Sequence, residues 1–172
     1  MKIISSNNYN SAKKEFSINS VDLFGASLSN KKGAIIIIES QKGIKFGAFF
    51  TAKIDFITGK VESYSDNQVV LFNITNERVF PMQNQKTKIH TSTRLLGLHP
   101  KIYFDEKVPN LKDRSMKFDL SINRRTIVEG PKVVSCTNLP GFKIDSTNGI
   151  NSLTGEATER VNISRIDIWS LN

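Results

Sequence analysis

The clearest pattern in the chain is an alternation of apolar residues with mostly polar or small residues over positions 43–56. Successive side chains of a β-strand point to opposite faces, so this period of two predicts a strand with one buried face. That face could line a reactive site, or it could form the inner wall of a packed sheet. Packing is favoured, because sheet-on-sheet contact requires a continuous apolar face. Its members would be Ile44, Phe46, Ala48, Phe50, Ala52, Ile54 and Phe56.

Other segments also carry strand signals. Residues 35–39 are rich in isoleucine and precede the turn residues 41–43, which predicts a hairpin with the alternating segment. Pro81 indicates a strand end or an edge strand, because proline cannot donate to a neighbouring strand. The C-terminal residues 160–172 change phase near Ser164 and Arg165, which predicts a β-bulge or burial of both faces.

One segment favours a helix, which Asn19 or Ser20 could cap and Gly33 could end. Its apolar face would consist of Leu23, Phe24 and Leu28. The remaining patterns predict roughly eight or nine short strands at the spacing of a sandwich. The predicted fold class is therefore mostly β, a two-sheet antiparallel β-sandwich with one or two short peripheral helices.

Length and composition are typical of a single domain. The chain has 172 residues, 38% of them apolar, with eleven Phe and a single Cys. A chain of this length buries about two thirds of its unfolded surface, so its core needs no disulfide bonds. We expect a flexible, polar segment over residues 1–15 and one domain over residues 16–172. There is no signal-peptide core, and the longest aliphatic run is too short to cross a bilayer, which predicts a cytoplasmic protein with the nucleus as the alternative.

The chain is basic, with a net charge of +8 and a pI near 9.6. Residues 78–104 contain five basic side chains, two His and no acid. Such a stretch can bind phosphate groups or an acidic partner, or it can be a solvated loop with scattered charge. The candidate residues for binding nucleic acid or an acidic partner are Arg78, Lys86, Lys88, Arg94 and Lys101.

The sequence offers no catalytic constellation. One Cys and two His, His90 and His99, are too few for a structural zinc site, and no phosphate-binding loop, dinucleotide fingerprint or nucleophile elbow occurs. Cys136 is a candidate for a redox-sensitive thiol, although its position after two valines in a predicted strand favours an inert, buried residue. We therefore expect no metal, no cofactor and no enzymatic activity.

The order of several segments carries a resemblance. KKGAIIIIESQKGIKFGAFF (31–50) contains an apolar strand, a turn and a Phe-Gly-Ala-Phe strand, and DNQVVLFNI (66–74) has polar residues ahead of a Leu-Phe pair. MKFDLSI (116–122) and EGPKVVSCTNL (129–139) follow, and ISRIDIWSL (163–171) closes the series. Together these segments resemble the TLDc domain family. The sequence departs from the family pattern in having Asp167 where the family usually has Glu, and in the displacement of a serine next to Cys136.

The resemblance implies a two-sheet β-sandwich with short marginal helices. Members of the family protect cells against oxidative stress, and some bind the vacuolar proton pump and alter its assembly. No accepted catalytic residues accompany the family. The resulting hypothesis is a non-catalytic interaction module that docks to a protein complex, with the vacuolar proton pump as a candidate.

The alternative hypothesis is a basic nucleic-acid-binding protein that regulates stress-response genes. The charge motivates it, but no helix-turn-helix, zinc finger or aromatic RNA-binding signature accompanies the charge.

Overall fold

A computed structural model describes residues 2–10, 15–16, 31–55, 61–82, 87–92, 101–105, 120–122, 133–136, 142, 144–158 and 160–171. Fourteen β-strands lie in this part of the chain. In chain order they are β1 (Lys2–Asn10), β2 (Glu15–Phe16), β3 (Ala34–Ser40), β4 (Lys45–Phe50), β5 (Val61–Asp66), β6 (Val70–Asn73), β7 (Arg78–Pro81), β8 (Thr87–Ser92), β9 (Lys101–Asp105), β10 (Leu120–Ile122), β11 (Val133–Cys136), β12 (Ser146–Thr147), β13 (Ile150–Asn151) and β14 (Arg160–Ser170).

Hydrogen bonds join twelve of the strands into one sheet, whose longest path runs β5-β8-β9-β10-β11-β14-β3-β4-β6-β7. β1 lies off this path and pairs with β14 and β2, whereas β12 and β13 form a separate two-stranded sheet. All of these pairs are antiparallel. The prediction of a mostly β, antiparallel fold is therefore confirmed.

No helix occurs within the described ranges, and residues 17–30, which carry most of the predicted helix, lie outside them. No helix in the described part of the chain is long and apolar enough to span a membrane. β1 falls within the stretch 1–15 for which the composition predicts a flexible segment. The domain boundary at residue 16 stays a prediction.

The predicted hairpin is confirmed as the antiparallel pair of β3 and β4. In β3, buried Ile36 and Ile38 alternate with the half-buried residues Ile35 and Ile37. In β4 the side chains of the predicted inner face, Phe46, Ala48 and Phe50, are buried. The alternation therefore forms the wall of a packed core, as the packing interpretation predicts. Each fully buried phenylalanine contributes about 1.5–3 kcal/mol through removal of its apolar surface from water.

β4 ends before the alternation does. The backbone N–H groups of Thr51 and Ala52 donate to the carboxylate of Asp66, at 2.6 and 2.7 Å, instead of continuing a strand ladder. Ile54 is nevertheless fully buried, and Phe56 lies outside the described residues. The period of two thus predicts burial correctly beyond the point where the hydrogen-bonded strand stops.

Gly47 lies in β4, where its strand runs against the backbone of β3. A Cβ atom at this position would overlap the carbonyl oxygen of Ile36. Any side chain would therefore force the two strands apart. This close approach explains why the Phe-Gly-Ala-Phe segment carries a glycine at its second position.

β14 connects two groups of strands, which are β5, β8, β9, β10 and β11 on one side of it in the strand path and β3, β4, β6 and β7 on the other. Its first residues pair with β11, and the residues from Ile163 to Ser170 pair with β3. The register shifts between Ile163 and Arg165, which confirms the predicted β-bulge. The Ser164 hydroxyl lies 3.2 Å from the carbonyl oxygens of Glu39 and Ser40, where it donates at the break in the ladder. The bulge therefore keeps the polar groups of β3 satisfied while β14 changes partners.

One apolar core contains residues from both groups of strands. Ile89 of β8 and Leu120 of β10 are fully buried in the same cluster as Ile36 of β3 and Ile166 of β14. The segment after β11 contributes to this cluster through Phe142, Ile144 and Leu153. Residues distant in the strand order therefore share one interior.

Candidate docking surface

The five basic residues selected from the sequence lie on separate elements. Arg78 begins β7, at one end of the strand path, whereas Lys88 in β8 and Lys101 in β9 lie near the other end. In the β8–β9 pair, Lys88 is opposite Asp105 and Lys101 is opposite Ser92. The two lysines are therefore four residues apart along these strands, a distance of about 13 Å. Lys86 and Arg94 lie outside the described residues. A binding role for this set stays a prediction.

Arg78 is held by an acidic partner within the chain. Its guanidinium donates to both carboxylate oxygens of Asp145, at 2.8 and 3.1 Å, and to the Ser152 hydroxyl at 3.3 Å. It also lies 5.1 Å from the ring centroid of Phe80, where a cation–π contact is favourable. The hydrogen bond from Arg78 lowers the pKa of Asp145 below its ordinary value, against a smaller opposing effect of desolvation. A phosphate group at Arg78 would therefore compete with an internal carboxylate.

The Arg78–Asp145 pair fastens the segment 144–156 to the end of β6 and β7. Buried Asn73 donates its side-chain amide to the carbonyl oxygens of Leu153 and Ser152, at 2.8 and 3.3 Å. On the other side of the segment, Lys42 forms an ion pair with Glu156. These three contacts hold the segment over the core, into which Leu153 projects.

The face of the sheet opposite the core is also apolar. Cross-strand pairing sets Trp169, Ile35, Phe49 and Val70 in one row across β14, β3, β4 and β6. A second row, across β3, β4, β6 and β7, consists of Ile37, Gly47, Phe72 and Val79. We call the side chains of these two rows the outer apolar face: Ile35, Ile37, Phe49, Val70, Phe72, Val79 and Trp169.

Most of the outer apolar face is half-buried, and Val79 is 64% exposed. Val79 lies on β7, the last strand of the sheet path, which ends at Pro81 and confirms the predicted edge or strand end. Large exposed apolar residues beside other apolar side chains are typical of interaction surfaces. The geometry can therefore support docking of another macromolecule on this face.

Charged residues border the outer apolar face on one side. Arg165, Glu39 and Lys45 lie opposite one another on β14, β3 and β4, and they share the outward orientation of the apolar rows. The Arg165 Nε atom also lies 2.9 Å from a carboxylate oxygen of Asp167, which is opposite Ile37 of the second row. The border therefore alternates in sign rather than forming a uniformly basic surface.

The sequence analysis did not predict the outer apolar face, because this face appears only when residues of five strands are aligned by their pairing. A signal was present: residues 35–38 and 69–72 are apolar at both odd and even positions. Such runs are expected where a strand is covered on two sides. Trp169 fits the same pattern in β14, because this apolar residue directly follows the buried Ile168.

The described residues contain no group of three or more His, Cys, Asp or Glu side chains arranged to hold a metal ion. The buried carboxylate of Asp66 accepts from the N–H groups of Thr51, Ala52 and Gln68 and from the Thr51 hydroxyl, so its role is structural. Cys136 ends β11 opposite Leu120. Its sensitivity to oxidants stays a prediction, as does the expected lack of a cofactor.

Comparison with known proteins bears on the whole chain. The sequence profile of the TLDc domain matches residues 5–172, so the match begins before the predicted boundary at residue 16. No curated protein matches the sequence. A profile match of this extent confirms the resemblance carried by the strand segments, and the chain belongs to the TLDc domain family.

Proposed function

We propose that this protein is a non-catalytic interaction module that protects cells against oxidative stress by docking to a protein complex. The family match supports the link to oxidation resistance, because the TLDc domain is the domain of oxidation-resistance-type proteins. The vacuolar proton pump is the first candidate complex, since some family members bind it. Action in the cytoplasm is part of the proposal.

The observation that carries docking is the outer apolar face. Its rows cross five strands spaced about 4.8 Å apart, which makes the face about 19 Å wide. That width suits the apolar centre of a standard protein interface, around which a polar rim excludes water. Val79, at 64% exposure, would be the side chain that gains most burial on binding.

The charges on this face favour a protein partner over nucleic acid. Phosphate groups would be attracted by Arg165 and Lys45 but repelled by Glu39 and Asp167 on the same face. A protein surface with apolar side chains and charges of both signs can match such a border, and complementary charges improve specificity. We therefore assign the outer apolar face to a protein subunit of this composition.

A charge introduced into the outer apolar face tests the assignment. We expect Val79→Lys to weaken binding to the purified vacuolar proton pump by at least about tenfold, or about 1.4 kcal/mol, because the ammonium group would be desolvated in the interface. The matched control is Ile150→Lys, which alters another exposed aliphatic residue, 46% accessible, on β13. Binding would be measured by biolayer interferometry, and survival of cells after peroxide treatment would be measured in parallel.

The two readouts separate the partner from the surface. If both substituted proteins bind the pump and protect cells as the unaltered protein does, the docking surface is assigned wrongly. If Val79→Lys loses protection although the unaltered protein does not bind the pump, the surface is supported and a different complex is the partner. Both proteins must show the unfolding midpoint of the unaltered chain, since exposed substitutions usually change stability by about 0.5 kcal/mol or less.

The net charge of +8 supports the alternative of a nucleic-acid-binding protein that regulates stress genes. In that case Arg78, Lys86, Lys88, Arg94 and Lys101 would contact phosphates, and the affinity would fall steeply with salt. Fluorescence polarisation with single-stranded and duplex probes at two salt concentrations tests this. Lack of binding at the lower salt concentration would eliminate the alternative.

We also infer that the two groups of strands face each other as a two-sheet sandwich with short peripheral helices. The core shared by Ile89, Leu120 and Ile36 supports this arrangement, since residues from distant strands of an open sheet would not meet. Asp66 supports it as well, because β5 at one end of the strand path receives hydrogen bonds from Thr51 and Ala52, which follow β4.

A further inference from the structure

The tip of the β12–β13 hairpin has an unusual combination of residues. Asn148 and Gly149 form the two-residue turn, with φ values of 53° and 75°. Positive φ at both positions is the mark of a type I′ turn, in which Asn-Gly is the preferred pair. Both residues are exposed. The sequence contains the Asn-Gly pair at this one place.

Asn-Gly is also the pair most prone to an intramolecular reaction. The backbone nitrogen that follows an asparagine can reach the Cγ atom of that asparagine and close a five-membered ring. A side chain on the following residue hinders this approach, and glycine has none. Apart from Gly149 itself and its two chain neighbours, no residue has a heavy atom within 4 Å of the position that a Cβ would occupy. Solvent therefore has access to the reacting groups.

Within the described part of the chain, no hydrogen bond restrains the Asn148 side chain or the Gly149 N–H group. Asn151, three residues after Asn148, provides a contrast. Its Oδ1 atom accepts from the N–H groups of Leu153 and Thr154, at 2.9 and 3.1 Å. The β12–β13 hairpin is joined by two residue pairs, so its tip has little to hold it in one geometry.

We infer that Asn148 is a site of spontaneous deamidation in the folded protein. The Gly149 nitrogen loses its proton and attacks Cγ of Asn148, a new N–Cγ bond forms, the Cγ–Nδ2 bond breaks, and ammonia leaves. Water then opens the resulting succinimide at either carbonyl group, which gives aspartate or isoaspartate. The net reaction consumes one water and releases one ammonia, and it needs no oxidant or enzyme.

The modification would change the hairpin in two ways. Both products add a negative charge three residues from Asp145, whose carboxylate is paired with Arg78. Isoaspartate also inserts a methylene group into the backbone of a turn whose length fixes the register of β12 and β13. The modified form therefore accumulates as the protein ages, and the added charge lies near the Arg78–Asp145 contact that holds segment 144–156. It is independent of the docking function.

Peptide mapping by mass spectrometry tests the inference on the full, folded chain during incubation in mildly alkaline buffer. We expect conversion at Asn148 to be at least about tenfold faster than at Asn151, and to yield separable aspartate and isoaspartate peptides. Asn148→Gly, which suits the same turn, should remove the reaction from this peptide. The chain incubated in denaturant serves as the positive control for detection.

Conversion at Asn148 no faster than at Asn151 in the folded chain would overturn the inference, because the turn would then protect its own asparagine. The same conclusion would follow if the product were aspartate alone, since opening of a succinimide gives both acids.

Discussion

At the scale of single residues, Gly47 and Asp66 determine where backbones approach each other and where strands end. Gly47 allows β3 and β4 to run closer than any side chain would permit at that point. Asp66 replaces the neighbouring strand as acceptor for the N–H groups of Thr51 and Ala52. Both effects are local, so each can be tested by one substitution.

Gly47→Ala should destabilise the protein by about 1–3 kcal/mol, because the added methyl group overlaps the Ile36 carbonyl and must displace backbone. Urea unfolding followed by tryptophan fluorescence would measure the change. Lys45→Ala, an exposed position on the same strand, is the control and should change stability by about 0.5 kcal/mol or less. Equal unfolding free energies for the alanine variant at position 47 and the unaltered chain would contradict the close approach.

Asp66→Asn should cost roughly 3 kcal/mol of unfolding free energy, because an amide NH₂ would face N–H donors that now bond to a carboxylate, and charge-assisted bonds contribute about 1.5–3 kcal/mol each. Thr51→Val removes the hydroxyl bond of 3.0 Å and keeps the three backbone bonds, so about 1 kcal/mol is expected there. Chemical denaturation of both variants gives the comparison. A smaller loss for the position 66 variant than for the position 51 variant would contradict the proposed role.

At the scale of elements, the sequence predicts what depends on periodicity and misses what depends on long-range pairing. The β3–β4 hairpin and the bulge at Ser164 follow from local apolar patterns and their phase. The Arg78–Asp145 pair joins residues 67 positions apart, and no local pattern connects them. The outer apolar face likewise emerges only when five strands are aligned in register.

The pairing of Arg78 with Asp145 should make a pH-dependent contribution to stability. A double-mutant cycle with Arg78→Gln and Asp145→Asn should give a coupling of about 0.2–1 kcal/mol at neutral pH, since both side chains are more than 40% exposed and screened by solvent. The pKa of Asp145 is lowered in the folded state, so the contribution is complete above the ordinary value of 3.8 and is lost as the pH falls through the lowered value.

Denaturation of the four proteins at several pH values would follow this coupling. In the Asp145→Asn background, the effect of Arg78→Gln should not vary through the acidic range, because the titrating partner is absent. A coupling that persists unchanged well below the lowered pKa of Asp145 would show that the contact does not depend on the carboxylate charge.

At the scale of the whole molecule, β14 is the element on which both groups of strands depend. It pairs with β11 on one side of the bulge and with β3 and β1 on the other, and its buried residues lie in the shared core. The family match over residues 5–172 covers β14 and most of β1. If the two groups of strands form the two layers of a sandwich, disturbance of β14 should reach both of them.

Ile163→Ala tests this cooperativity, because Ile163 is fully buried at the bulge where β14 changes partners. The lost methyl and methylene groups should cost about 2–5 kcal/mol, and hydrogen exchange should accelerate together in β3, β4, β10 and β11. Asn162→Ala, at the exposed neighbouring position, should leave exchange in all four strands unchanged. Acceleration confined to β10 and β11, with β3 and β4 still protected, would mean that the groups unfold separately. The shared core would then contribute less to stability than its complete burial implies, and the sandwich arrangement would be contradicted.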